Sequence, residues 1–291
     1  MIRVKANAKI NFYLNVLEKI QDNYHSISSV MQSIDLSDDL AFFKKKSGIK
    51  IVCDDPNLPV DKDNLVYKSA ELLIKKFFRL ETLGVLIFLK KRIPIASGLA
   101  GGSADAAATL IGINKLLNLN LSNSEILKLG SSIGSDVPFC LVGGTAIVEG
   151  KGEKISPLES LNNIWLVLTK PEFQILTKDI YKKYDEIGKP CLNNMDKFMK
   201  KFDSKELSKK FSILENCLEK IVEKEYDIIK ILKEKALESG ALATVMTGSG
   251  PTVVAICGDF DCALKVYSKL SNEVNEVFVA KTCSKGIETL S

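Results

Sequence analysis

Hydrophobic and polar positions change period several times along the chain, and each change predicts an element. Residues 2–6, 10–16, 28–34, 39–44 and 49–53 are short apolar or alternating segments between polar turn residues, and predict strands of one sheet. From Asn64 to Phe78 the spacing becomes helical, with Leu65, Ala70, Leu72, Leu73 and Phe77 recurring at helical intervals. Residues 85–89 return to strand, a glycine-rich turn follows, and the alanine-rich run from Ser103 to Leu110 predicts a helix. A helix over 124–132, the segment Gly134-Ser135-Asp136-Val137-Pro138 and a strand over 145–149 complete the first half. Beyond about residue 157, strands at 165–169, 243–246, 253–257 and 277–280 alternate with lysine-rich helical stretches, which is an α+β pattern. The chain therefore reads as two α+β domains, 1–155 and 156–291.

The turn between strand and helix is Pro94-Ile95-Ala96-Ser97-Gly98-Leu99-Ala100-Gly101-Gly102-Ser103. Its glycines let a ligand approach the main chain, and the helix behind it presents unpaired N–H groups and a dipole that favour an anion such as phosphate. Two other phosphate loops are excluded by spacing. A Walker A loop needs a lysine that is absent here, and a dinucleotide turn needs glycine where Ala100 stands. A tight strand-to-helix connection without a ligand is the alternative. A second glycine turn, Thr247-Gly248-Ser249-Gly250-Pro251, joins two later strands and is by itself compatible with a plain hairpin.

Composition narrows the field. With 291 residues, 46% of them hydrophobic, the chain can bury a large core. Forty basic against 36 acidic residues leave a net charge of +4, a mixed surface that argues against a nucleic-acid partner. Seven cysteines without C-x-x-C spacing suit a reduced cytoplasmic chain. The only histidine, His25, is too little for a structural zinc site or, unless it is itself the base, for Ser-His chemistry. No apolar run is long enough to span a bilayer and the N-terminus has no signal core, so no membrane association is expected.

Three stretches taken together, AKINFYLNV at 8–16, PIASGLAGGSADAAATL at 94–110 and TGSGPTVVA at 247–255, resemble in order and separation the three motifs of the GHMP kinases. These are the small-molecule kinases named after galactokinase, homoserine kinase, mevalonate kinase and phosphomevalonate kinase. Tyr24-His25, the stretch Gly134 to Phe139, and Pro171 to Thr177 with Tyr181 resemble the members whose acceptor carries a cytidine diphosphate group. The chain departs from that pattern at Asn23, at Ile175-Leu176, and at Ala96, Ser97 and Ala100, where more glycines are common.

The resemblance implies an N-terminal domain with a left-handed β-α-β unit, a ferredoxin-like C-terminal domain, and transfer of phosphate from ATP, with Mg²⁺, to an alcohol. It implies Asp136 as base with Lys9 beside it, and residues 94–103 around the ATP phosphates. Asn64 and Lys91 are expected near adenosine, Tyr24, His25 and Tyr181 at the cytidine, and Asn11, Thr177 and Gly248 at the rest of the acceptor. The metal has no assigned site; Ser103 is one possible ligand, and Asp105 either a ligand or a solvent-facing residue. A monomer or weak homodimer is expected. Another GHMP kinase, acting on mevalonate, homoserine or a sugar, and a non-catalytic binding protein of the same fold are the alternatives.

Overall fold

The structure, a computed structural model, describes residues 1–20, 24–187 and 194–290; Asn23 lies outside them. The chain opens with β1 (Ile2–Lys19), β2 (His25–Lys45) and β3 (Gly48–Cys53), then α1 (Leu65–Phe77), β4 (Gly84–Lys90) and α2 (Gly101–Leu117). Next come α3 (Asn123–Ile133), α4 (Val137–Val142), β5 (Thr145–Gly150), β6 (Lys154–Pro157) and β7 (Trp165–Lys170). The helical stretch α5 (Thr177–Ile187), α6 (Met195–Phe202) and α7 (Leu207–Phe211) leads to β8 (Glu215–Asn216), α8 (Glu219–Glu225) and α9 (Asp227–Glu238). The chain ends with β9 (Ala243–Met246), β10 (Val253–Cys257), α10 (Phe260–Leu270), β11 (Glu276–Lys281) and β12 (Ile287–Leu290).

Two sheets result. The first runs β12-β1-β2-β4-β3, with β5 and β6 extending from β2 and β8 beside β1. Its β3 and β4 are parallel, joined through α1 as a crossover. The second runs β11-β7-β10-β9 with every neighbouring pair antiparallel. Taken in chain order with helices after β7 and β10, that is the ferredoxin-like β-α-β-β-α-β arrangement.

The expected strands at 2–6 and 10–16 are one strand, as are those at 28–34 and 39–44. The polar residues that seemed to separate them are interior: Asn7, Lys9, Ser37 and Asp38 are all buried. Register shifts between Asn7 and Lys9 and between Asn11 and Tyr13 let β1 bend without leaving its partner. The pattern also passed over α4, β6, β8 and β12, each six residues or shorter. We keep 1–155 and 156–291 as proposed folding units, although β8 and β12 cross that line to pair with β1.

Alanine explains how α2 sits at the centre. Ala104, Ala106, Ala107 and Ala108 are fully buried, so the helix lies close against β1, α1 and α4. At Gly112 it meets the fully buried ring of Phe42, where an added Cβ would come within 2.3 Å of Cε2. Gly112→Ala therefore sets a gain of about 1 kcal/mol in helix propensity against an overpacking cost of about 1–3 kcal/mol. We expect a net loss of stability, seen as a lowered Tm in thermal unfolding followed by far-UV circular dichroism.

Candidate active site

The N-terminus of α2 opens into a cleft of about 430 Å³ between the two sheets. Its first turn carries no acidic side chain and its N-cap, Ala100, makes no side-chain cap, which suits an incoming anion. Ala96 and Ala100 hold left-handed φ values of 50° and 57°. Each such alanine costs about 1–2 kcal/mol, so this backbone path is maintained against local preference. Pro94 to Gly98, Ala100, Gly101, Gly102 and Ser103 line the cleft. Leu99 does not. It is fully buried, and its carbonyl accepts the Lys9 N–H at 3.1 Å, tying the turn to β1.

The second glycine turn closes the cleft from the other sheet. An added Cβ on Gly98 would lie 2.3 Å from the Thr247 carbonyl oxygen, and one on Gly248 3.0 Å from the Gly98 carbonyl oxygen. Both have positive φ, so backbone meets backbone where side chains have no room. Asn216, on β8, steadies the second turn by donating from Nδ2 to the Met246 and Gly248 carbonyls at 2.7 and 2.8 Å.

Lys9, Asn11, Asp136, Thr177, Tyr181 and Gly248 all line this cleft. The Lys9 ammonium donates to Asn11 Oδ1 at 2.8 Å and to the Gly98 carbonyl at 3.1 Å, so it is held against the glycine turn. Asp136 is half-buried at the start of α4 and makes no capping hydrogen bond there. Thr177 Oγ1 lies 2.9 Å from Ser249 Oγ, linking the start of α5 to the second turn.

Besides Leu99, three expected residues stand elsewhere. Asn64 caps α1, accepting from the Val66 N–H at 2.8 Å and donating to the Pro59 carbonyl at 2.6 Å. Tyr24 is exposed, with the Lys151 ammonium 5.3 Å from its ring centroid. His25 is buried behind Tyr181, its ring centroid 5.2 Å from that ring and its Nε2 2.5 Å from Asp185 Oδ1. Hydrogen bonds from Lys19 and His25 hold the Asp185 carboxyl below its ordinary range, and burial pushes the Tyr181 hydroxyl above its own. Asp185 was not anticipated, though its place one turn after Tyr181 on α5 was a usable signal. Leu58, Leu65 and Met31 supply apolar lining that no motif marked, and Leu176, one of the two departures at 175–176, adds to it.

Lys91 reaches the cleft edge from a buried charge cluster. Its ammonium bonds Asp105 Oδ2 at 2.7 Å and also Asp38 Oδ2, while Asp38 Oδ1 accepts the Arg92 and Ile93 N–H groups. Asp105 is therefore not solvent-facing, being 1% exposed with Oδ2 turned to Lys91. Burial opposes the charged Lys91, but the Asp105 and Asp38 carboxylates outweigh it and hold the ammonium above its ordinary range. Burial and the neighbouring Asp38, against the opposing pull of Lys91, push the Asp105 carboxyl up to about 8. One lysine cannot neutralise two buried carboxylates, and a retained proton balances the cluster. Among the described residues no three His, Cys, Asp or Glu side chains cluster as a metal site. The Ser103 hydroxyl at the cleft wall fits a Mg²⁺ ion that takes most of its ligands from phosphate and water.

The architecture and this cleft define a class, and comparison with known proteins agrees. The family model for the GHMP kinase N-terminal domain matches residues 64–144, and that for the GHMP kinase C-terminal region matches residues 196–276. A 4-diphosphocytidyl-2-C-methyl-D-erythritol kinase of Caldanaerobacter subterraneus is 43% identical, with 99% of each chain covered. Its counterpart in Clostridium novyi is 41% identical over 96% of this chain and 99% of that protein. The chain belongs to the family of 4-diphosphocytidyl-2-C-methyl-D-erythritol kinases. A crystal structure of 4-(cytidine 5'-diphospho)-2C-methyl-D-erythritol kinase shares the fold with a TM-score of 0.79 at 24% identity, covering 96% of this chain and 98% of that one. A homoserine kinase from Cytophaga hutchinsonii shares it at 0.76 and 20%, covering 99% and 97%.

The charge cluster sets a pH dependence. The folded state keeps a proton on Asp105 that the unfolded chain, at its ordinary 3.8, releases. Stability from that proton is thus present at low pH and lost as pH rises towards and through about 8. Asp105→Asn, a neutral isostere of the protonated acid, should flatten the fall of Tm between about pH 5 and pH 9 relative to the parent protein.

Proposed function

We propose that this chain transfers the γ-phosphoryl group of ATP to the 2-hydroxyl of 4-diphosphocytidyl-2-C-methyl-D-erythritol, yielding the 2-phosphate and ADP. The observation that carries this reading is the meeting, in one cleft, of a bare helix N-terminus, a fixed ammonium at Lys9 and an uncapped carboxylate at Asp136. Phosphoryl transfer through a loose transition state asks for position and positive potential more than covalent chemistry. Main-chain N–H groups of α2 receive the phosphates, in place of a Walker lysine. Asp136 accepts the proton of the acceptor hydroxyl as the new O–P bond forms, and the bond from the γ-phosphorus to its bridging oxygen breaks to release ADP. Lys9 stabilises charge on the phosphoryl group in flight. The Ser103 hydroxyl, together with the phosphates, would hold Mg²⁺, and the ion would supply neutralisation of their charge.

Leu58, Leu65 and the Lys91 stem form the adenosine end, with Asn64 acting there through α1 rather than by touching the base. At the opposite end Tyr181 offers a ring face for cytosine. His25, held by Asp185 behind Tyr181, backs that ring, and Tyr24 stands outside the cleft. That aromatic end favours a cytidine-bearing acceptor over mevalonate, homoserine or a sugar. Thr177, Asn11 and the turn at Gly248 contact the acceptor between the two ends. No helix among the described residues is long and apolar enough to cross a membrane; a cytoplasmic monomer or weak homodimer is part of the proposal.

ADP release with ATP, Mg²⁺ and each of four acceptors, the cytidyl substrate, mevalonate, homoserine and galactose, tests the reading. Turnover is expected with the cytidyl substrate alone, and Asp136→Asn should lower kcat by about 10²–10⁴ while ATP still binds. Turnover with another acceptor in its place would remove the cytidine end from the account.

A further inference from the structure

Thr247 takes none of the roles above, yet its hydroxyl reaches from the second sheet into the first at the reacting centre. The residue is fully buried. Thr247 Oγ1 accepts the Asn11 main-chain N–H at 2.9 Å and donates to Asn11 Oδ1 at 3.3 Å. That same Oδ1 accepts the Lys9 ammonium at 2.8 Å. The other side of the Asn11 amide is also fixed, since Nδ2 donates to Ser29 Oγ at 2.8 Å and Ser29 Oγ donates to the Tyr13 carbonyl at 2.6 Å. Thr247 is itself pinned, its N–H donating to the Thr252 carbonyl at 2.9 Å.

We propose that Thr247 is a positioning residue for phosphoryl transfer: its hydroxyl fixes the Asn11 amide, and through it the Lys9 ammonium, at the mouth of the glycine turn. The inference rests on the role given to Lys9 above. A lysine side chain has four rotatable bonds, and an ammonium that must find its place during the reaction stabilises the transition state less than one already there. Lys9 has two anchors. The Gly98 carbonyl belongs to the phosphate turn, and Asn11 Oδ1 is oriented from the opposite sheet, so the ammonium is placed only when both halves of the cleft are assembled.

Two substitutions separate positioning from packing because they rank in opposite orders. Thr247→Val keeps the volume and removes the hydroxyl; Thr247→Ser keeps the hydroxyl and leaves a methyl-sized void. If Thr247 only fills space, valine is the better replacement. If it positions Lys9, serine is. We expect Thr247→Val to lower kcat roughly tenfold or more, with KM for ATP and for the acceptor within about twofold of the parent. Thr247→Ser should restore most of kcat even if its Tm is lower. Without any substrate, Lys9 in Thr247→Val should react faster with an acylating reagent, read by peptide mass spectrometry, and Lys9 in Thr247→Ser should not. In a Lys9→Ala background the valine substitution should cost nothing further in kcat. Parental kcat and labelling in Thr247→Val, or equal damage from serine and valine, would overturn the proposal. Parental kcat in Lys9→Ala would overturn the role of Lys9 itself, a failure that the substrate-free labelling rates separate from a failure at Thr247.

Discussion

The main-chain contact between Gly98 and the turn at Thr247 to Gly250 is the constraint on which the cleft depends. Each turn occupies the space a side chain on the other would need, and both follow a left-handed path at the contact. Because one turn leads into α2 and the other joins β9 to β10, their contact brings the first sheet against the second at a fixed separation. The Lys9 ammonium, on the Gly98 carbonyl, and the Asn11 main-chain N–H, on Thr247 Oγ1, use that separation directly. The N-terminus of α2 and Asp136 then line one cleft that neither sheet forms alone.

Keeping this geometry costs stability, and the cost is offset nearby. Alanines held at positive φ and a lysine buried with two carboxylates are unfavourable taken singly. Around them lies a dense core in which α2, buried along most of its length, packs on β1 and β2. Asp38 shows how the two are joined. Its carboxylate satisfies the main-chain N–H groups of Arg92 and Ile93, just ahead of the glycine turn, and also receives Lys91. The charge cluster thus fixes the start of the turn, and the second glycine turn fixes its middle.

The parts of this arrangement visible in the sequence were those that repeat or punctuate. Glycine spacing marked both turns, and helical periodicity marked α1 to within a residue at each end. Buried polar residues misled the pattern. Asn7, Lys9 and Asp38 have the polarity of a turn but occupy the interior of long strands, because their partners are distant in sequence: Lys285 for Asn7, Gly98 for Lys9 and Lys91 for Asp38. Periodicity carries no information about such partners. The same limit hid Asp185 behind His25 and Thr247 behind Asn11. Asn64 was read only as a residue near adenosine, whereas its side chain caps α1 by accepting the Val66 N–H.

The most direct measurement is the affinity of ATP for Gly98→Ala, by calorimetry on protein whose circular dichroism matches the parent. A methyl group there would sit 2.3 Å from the Thr247 carbonyl oxygen on a backbone that alanine disfavours, so the two turns must part. The account predicts that ATP binding weakens by roughly tenfold or more, as the N–H groups lose their alignment on the phosphates. Undiminished affinity in the folded variant would contradict it, since the phosphate site would then not depend on the contact between the turns.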